Sequence, residues 1–112
     1  MRKKNYKGRC EKRTLSKCKE ICRTYDGIQS AYADLLQQND SITEIRCNVL
    51  LDDDSEYTTD FVCVKADNDL MVRECVSRKY LTKPLTVKLL DMSRCYWLRR
   101  GVYDWGIVTN EE

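Results

Sequence analysis

Between Tyr57 and Val76 the chain reads YTTDFVCVKADNDLMVRECV: two runs rich in strand-forming residues, separated by the polar turn Ala66-Asp67-Asn68-Asp69. No other stretch narrows the fold as much, because two such runs around one short turn make an antiparallel hairpin. With the turn centred near Asp67, pairing sets Asp60 opposite Glu74. Directly opposed side chains have Cβ atoms about 4.5 to 5.5 Å apart, and like charges placed there repel. A cation removes that repulsion, so Asp60 and Glu74 become candidate metal ligands, in a site suited to Mg²⁺ with its preference for carboxylate and water oxygens. The competing reading ends Asp60's strand in solvent and pairs Glu74 with Lys65 or Arg73.

Elements flank the hairpin on both sides. Ile28, Ala31, Tyr32, Leu35 and Leu36 recur at helical spacing, and Asn39-Asp40-Ser41 stops the run. Asp26 and Gln29 have the spacing of a capping box, in which each side chain satisfies a free backbone amide of the first turn. Ile45, Cys47, Val49 and Leu51 alternate with other residues and predict a strand, followed by the acidic loop Asp52-Asp53-Asp54-Ser55-Glu56. That loop lacks the glycine and the closing glutamate of an EF-hand, so it reads as a solvated connection. Beyond Val76, Thr82 as N-cap and Pro84 in the first turn open a long helix with a stripe of Leu85, Leu89, Met92 and Tyr96, widened by Leu90 and Trp97 and closed by Gly101. Tyr103 to Thr109 predicts a last strand, and a strand, helix, strand order makes a parallel crossover. The expected fold is α/β: a helix, a three-stranded antiparallel meander, a helix and a strand, giving a mixed sheet.

Charge divides the chain. Residues 1 to 25 hold ten Lys or Arg against Glu11 and Glu20, a charge of +8, whereas the remainder carries −6. Residues 1 to 24 therefore read as a basic arm, and 25 to 112 as the folded domain. Arg2, Lys3, Lys4, Lys7, Arg9, Lys12, Arg13, Lys17, Lys19 and Arg23 are candidates for phosphate contacts, the alternative being a solvated face. Its few apolar residues predict a short helix from Leu15 to Arg23 after a flexible tail. Of seven cysteines, Cys47, Cys63 and Cys75 sit in strand-like runs as small hydrophobes; Cys10, Cys18 and Cys22 form a looser group in which zinc would need a fourth ligand from a chain without histidine. With no signal-peptide pattern and no apolar run near the ~20 residues of a membrane span, a soluble cytoplasmic protein without a membrane partner is expected.

The element order, with one acid on the second strand and another on the third, resembles the core of the PD-(D/E)xK nuclease superfamily, and within it the N-terminal nuclease domain of TnsA-type transposon endonucleases. The resemblance is carried by QSAYADLLQQND, YTTDF, VRECV, SRCYWLRRG and DWGIVT, and covers roughly residues 25 to 109. It implies a restriction-endonuclease-like core and a working set of a helix acid, a strand aspartate, a third acid or glutamine, and a lysine two residues further on. Those positions hold Gln29, Asp60, Glu74 and Val76. Glutamine offers no negative charge, and valine can neither orient a water nor stabilise a developing phosphorane. The resemblance thus implies a degenerate catalytic site of Asp60, Glu74 and Gln29, with Mg²⁺ at Asp60 and Glu74 as the cofactor.

Three function classes follow. One is a nucleic-acid-processing module of a mobile element or phage that binds DNA with weakened or lost cleavage. Another is an active Mg²⁺-dependent endonuclease in which Arg78, Lys79 or Lys88 replaces the lysine. The last is a protein-binding inhibitor or assembly factor acting on a partner in a transposition or phage system. The basic arm favours the first two, and the missing lysine favours the first and last.

Overall fold

The computed structural model describes residues 11 to 51 and 57 to 110. In chain order the elements are β1 (Glu11–Arg13), β2 (Cys22–Thr24), α1 (Gly27–Gln38), β3 (Ile42–Leu50), β4 (Thr58–Lys65), β5 (Leu70–Cys75), a 3-10 turn (Arg78–Tyr80), α2 (Pro84–Arg99) and β6 (Asp104–Val108). The acidic connection Asp52 to Glu56 lies outside the described residues.

β4 and β5 pair antiparallel with Phe61 opposite Arg73 and Val64 opposite Leu70, the register predicted from the turn. The turn works because the Asn68 N–H reaches the Lys65 carbonyl at 2.8 Å and Asn68 takes a positive φ of 73°. This is the three-residue hairpin loop with a bulge, and asparagine tolerates its left-handed position better than most side chains. β3 joins antiparallel on the far side of β4, and β6 lies parallel to β5, giving a mixed sheet of order β3-β4-β5-β6. The α/β architecture expected of the sequence is present.

The two helices cover opposite faces. Ala33 and Leu36 of α1 pack with Ile42, Ile45, Phe61, Cys63 and Met71, whereas Leu89 and Trp97 of α2 pack with Tyr57, Val62 and Val72. Both stripes are rotated from the sequence reading. Gln29, Ala33 and Leu36 form the buried face of α1 and leave Leu35 exposed; Leu89, Leu90, Ser93 and Trp97 form that of α2 and leave Leu85 exposed. The reason is that each face includes a buried polar residue, Gln29 or Ser93, which apolar periodicity passes over. Lys83 rather than Thr82 is the N-cap of α2, with Pro84 at the first position. At its other end Gly101 has φ of 81°, and the amides of Gly101 and Val102 bond the carbonyls of Leu98 and Trp97 in a Schellman motif.

Residues 15 to 23 are not a helix. β1 and β2 form a small antiparallel pair, with Cys22 and Thr24 facing inward and Leu15 buried between the strands in sequence. Leu15 and Cys22 belong to the α1-side core, and the connection is tied to the sheet by the Ile45 N–H to the Lys17 carbonyl at 2.9 Å. The charge boundary near residue 24 is therefore not a packing boundary. Among the described residues no helix is long and apolar enough to cross a membrane.

Candidate functional site

Asp60 reaches its position because two strands change faces together. In regular β structure Thr59 and Phe61 would point the same way. Here Thr59 accepts a hydrogen bond from Trp97 of α2, while Phe61 stacks edge-on against Tyr32 of α1. Across the ladder Cys47 packs on the α1 side and Val49 on the α2 side, and Asn48 between them has φ of 54°. Asn48 and Asp60 sit at this switch, one on each strand. The carboxylate of Asp60 is thereby brought between the layers.

A network of buried polar groups converges there, with Glu74, Asp60 and Gln29 respectively 0%, 1% and 2% exposed. Asp60 Oδ1 accepts from Gln29 Nε2 at 3.3 Å, and Oδ2 from the Cys75 N–H at 2.6 Å. Glu74 Oε1 accepts from the Asp60 N–H at 3.3 Å, and Oε2 from the Ser93 hydroxyl at 2.6 Å. Ser93 in turn accepts from the Trp105 indole at 3.1 Å. The carboxylates that the sequence brought together are thus neighbours, and the helix residue aligned with them touches one. Sequence reasoning missed Ser93 and Asn48. The spacing Leu89, Ser93, Trp97, a small polar residue one helical turn from each apolar one, was the available signal for Ser93.

The orientation of Gln29 decides what this cluster can do. Its Oε1 accepts from the Tyr25 N–H at 2.8 Å, so the NH₂ must face Asp60 Oδ1 and Asn48 Oδ1, the latter at 3.0 Å. Only half of the expected capping box is present: Asp26 Oδ1 accepts from the Gln29 N–H at 2.8 Å, while the glutamine side chain reaches back to Tyr25 instead of Asp26. A helix acid would turn lone pairs toward a metal; this amide turns N–H dipoles toward it. Mg²⁺ needs near-octahedral oxygen ligands, several of them waters. Asp60 and Glu74 supply the ligand type, but protein donors face both carboxylates. Each of the four carboxylate oxygens accepts a hydrogen bond from a protein donor.

A cleft of about 480 Å³ lies against this cluster, lined among others by Tyr25, Asp60, Val76, Tyr80, Lys83 and Leu89. Val76, where the resemblance would put a lysine, is buried beside it, and its N–H bonds the Val108 carbonyl at 2.9 Å. The cations considered as replacements lie elsewhere. β5 ends at Cys75, so Arg78 does not continue its strand face; its N–H bonds Asn110 at 2.7 Å. Lys79 sits over the Tyr80 ring and Lys88 projects from α2, and neither lines the cleft. Lys83 does.

Of the basic candidates, Arg2, Lys3, Lys4, Lys7 and Arg9 lie outside the described residues, as does Cys10. Arg13 pairs with Asp34 and bonds Ser30 at 3.1 Å, and Lys17 bonds the α1-terminal carbonyls of Leu36 and Asn39 at 3.3 and 2.6 Å. Lys12, Lys19 and Arg23 are exposed, and Lys12 stands directly opposite Arg23 in the small sheet. A scan against protein-family models and a search of curated proteins each found no match.

Proposed function

We propose that this chain is a DNA-binding, nucleic-acid-processing module of a mobile element or phage, built on a TnsA-like nuclease architecture whose cleavage is weakened or lost. The observation that carries the reading is the Gln29 amide, held by the Tyr25 N–H so that it donates to Asp60 where a nuclease would present an acid. Val76 on the cleft wall, in the lysine's place, points the same way. A positioned proton-transfer group contributes about 10²- to 10⁴-fold, so a site without one is slow. The DNA half of the proposal rests on Lys12 and Arg23. Like charges directly opposed across strands repel, and a phosphate between them relieves the cost.

Titration of duplex DNA at several salt concentrations tests this reading. Binding should weaken with salt, and Lys12→Gln with Arg23→Gln should flatten the slope of log affinity against log salt by up to about 2, at ~0.9 per lost contact. Absence of binding at every salt concentration would turn the reading to the protein-binding class. One observation favours a second reading, an active Mg²⁺ endonuclease with a relocated cation: Lys83 shares the cleft with Asp60. In that case Lys83→Ala would abolish metal-dependent cutting.

A further inference from the structure

Three cysteines from separate parts of the chain converge where the small β1–β2 hairpin meets β3 of the main sheet. Cys18 lies in the connection between β1 and β2, Cys22 opens β2, and Cys47 lies on β3. Their sulfur atoms all fall within 4.8 Å of one another. Cys63 and Cys75, which are also buried in the α1-side core, take part in no such grouping among the described residues. Burial as small hydrophobes accounts for those two. It does not by itself account for three sulfurs turned toward each other, since thiols hydrogen-bond one another only weakly.

We propose that Cys18, Cys22 and Cys47 form a thiolate site for a thiophilic d¹⁰ cation, for which Zn²⁺ is the natural occupant. With Zn–S bonds of about 2.3 Å, tetrahedral ligands stand roughly 3.8 Å apart, so closing the present triangle needs side-chain shifts of about 1 Å or less. Two of the ligands come from the hairpin and the third from the main sheet, so the ion would fasten one to the other. The existing tie there is made by single hydrogen bonds, from Ile45 to Lys17 and from the Asn48 side chain to the Arg23 carbonyl at 2.8 Å. Cys18 and Cys47 also line a cavity of about 340 Å³, from which a water would supply the fourth ligand of the tetrahedron. Binding would displace the thiol protons to solvent, leaving three thiolates around a divalent ion and a formal charge of −1. Mg²⁺, which takes oxygen ligands, would not enter.

The sequence grouped Cys18 and Cys22 with Cys10 and treated Cys47 as a strand hydrophobe. The fold adds Cys47 to Cys18 and Cys22, and Cys10 lies outside the described residues. Cys47 is 25 residues from Cys22, and only the docking of the hairpin on β3 makes them neighbours.

The test uses the full chain, reduced with a phosphine and stripped of metal. Zn²⁺ added against a chromophoric chelator should bind at one equivalent per chain, and Mg²⁺ should not compete. Alkylation followed by peptide mapping then reads each thiol separately: Zn²⁺ should slow modification of Cys18, Cys22 and Cys47 by at least about tenfold and leave Cys95 unchanged, with chelator reversing the effect. Cys47→Ser should weaken Zn²⁺ binding by more than about 100-fold, beyond the loss of an outer-shell partner, while Cys95→Ser keeps full affinity. Zn²⁺ that does not protect these three thiols, or stoichiometric binding that survives Cys47→Ser, would overturn the assignment. So would a disulfide within the trio that forms in place of metal binding under the same reducing conditions. Should Cys47→Ser fail to fold, the protection pattern of the unmodified chain decides alone.

Discussion

Gln29 is the residue on which the functional reading turns, because one amide connects α1, β3 and β4. Replacing it by glutamate keeps the acceptor toward Tyr25 but turns a second lone-pair oxygen toward Asp60 and Asn48, removing two hydrogen bonds and adding a like charge in a buried site. Gln29→Glu should therefore lose about 1 to 3 kcal/mol in the presence of chelator, measured by urea unfolding. Mn²⁺ or Mg²⁺ should restore part of that loss, since the variant supplies the missing acid; an unchanged stability in chelator would show that the amide is not donating as described. Asn48 offers a separate check. Its φ of 54° favours glycine or asparagine, and its side chain bonds both Gln29 and the Arg23 carbonyl. Asn48→Gly loses the bonds while keeping the backbone unstrained, so Asn48→Ala should be less stable than Asn48→Gly by roughly 1 to 2 kcal/mol. Equal stabilities of the two variants would remove the case for strain at this position.

At the level of elements, the sheet is tied at the end away from Asp60 by Asp104 of β6, which bonds Arg73 of β5 at 2.8 Å and Lys65 of β4 at 3.0 Å. Burial pushes the Asp104 carboxyl upward, but the hydrogen bonds from Arg73 and Lys65 outweigh it and hold the group below its ordinary value. A depressed carboxylate stabilises the fold fully above its unfolded value near ~3.9, and that contribution fades as pH falls through the lower folded value. Asp104→Asn should thus lower Tm at pH 7 and converge with the parent as pH falls below the depressed folded value; a difference independent of pH would mean that packing, not charge, is lost. Elements also show what the sequence can and cannot disclose. The β4–β5 register is legible because the polar turn is short and both flanking runs are apolar, leaving one centre for the pairing. The face of α2 is not, because Ser93 is selected by Glu74 below it, a partner 19 residues away that no helical period contains. The small β1–β2 sheet was hidden by its charges: only Leu15, Cys22 and Thr24 turn inward, too few to set a period against the cations around them.

The whole molecule joins a positive N-terminal region to an acidic remainder, and the joint is packed instead of hinged. Removing residues 1 to 10 takes away five cations and no acids, changing the net charge from +2 to −3. If those cations contact about four phosphates, that truncation should flatten the salt dependence of DNA binding by roughly 3 to 4 units. Removing residues 1 to 23 should in addition destabilise the fold, since Leu15 and Cys22 leave the core with it. Equal stability of the two truncations would contradict the packing of the hairpin. The legibility of the site follows the same division: Asp60 and Glu74 are visible from one hairpin, while the donors that close around them come from α1, β3 and α2 and require the assembled fold. The central claim, a nuclease architecture with an amide set where its acid would stand, is tested most directly by incubating supercoiled DNA in Mg²⁺ and in Mn²⁺ with the unmodified protein, Asp60→Ala, and the pair Gln29→Glu with Val76→Lys. The account predicts little or no cutting by the unmodified protein and a gain by the double variant. Strong cutting by the unmodified protein would contradict it, through Lys83 if Asp60→Ala abolishes the activity and through another site altogether if it does not.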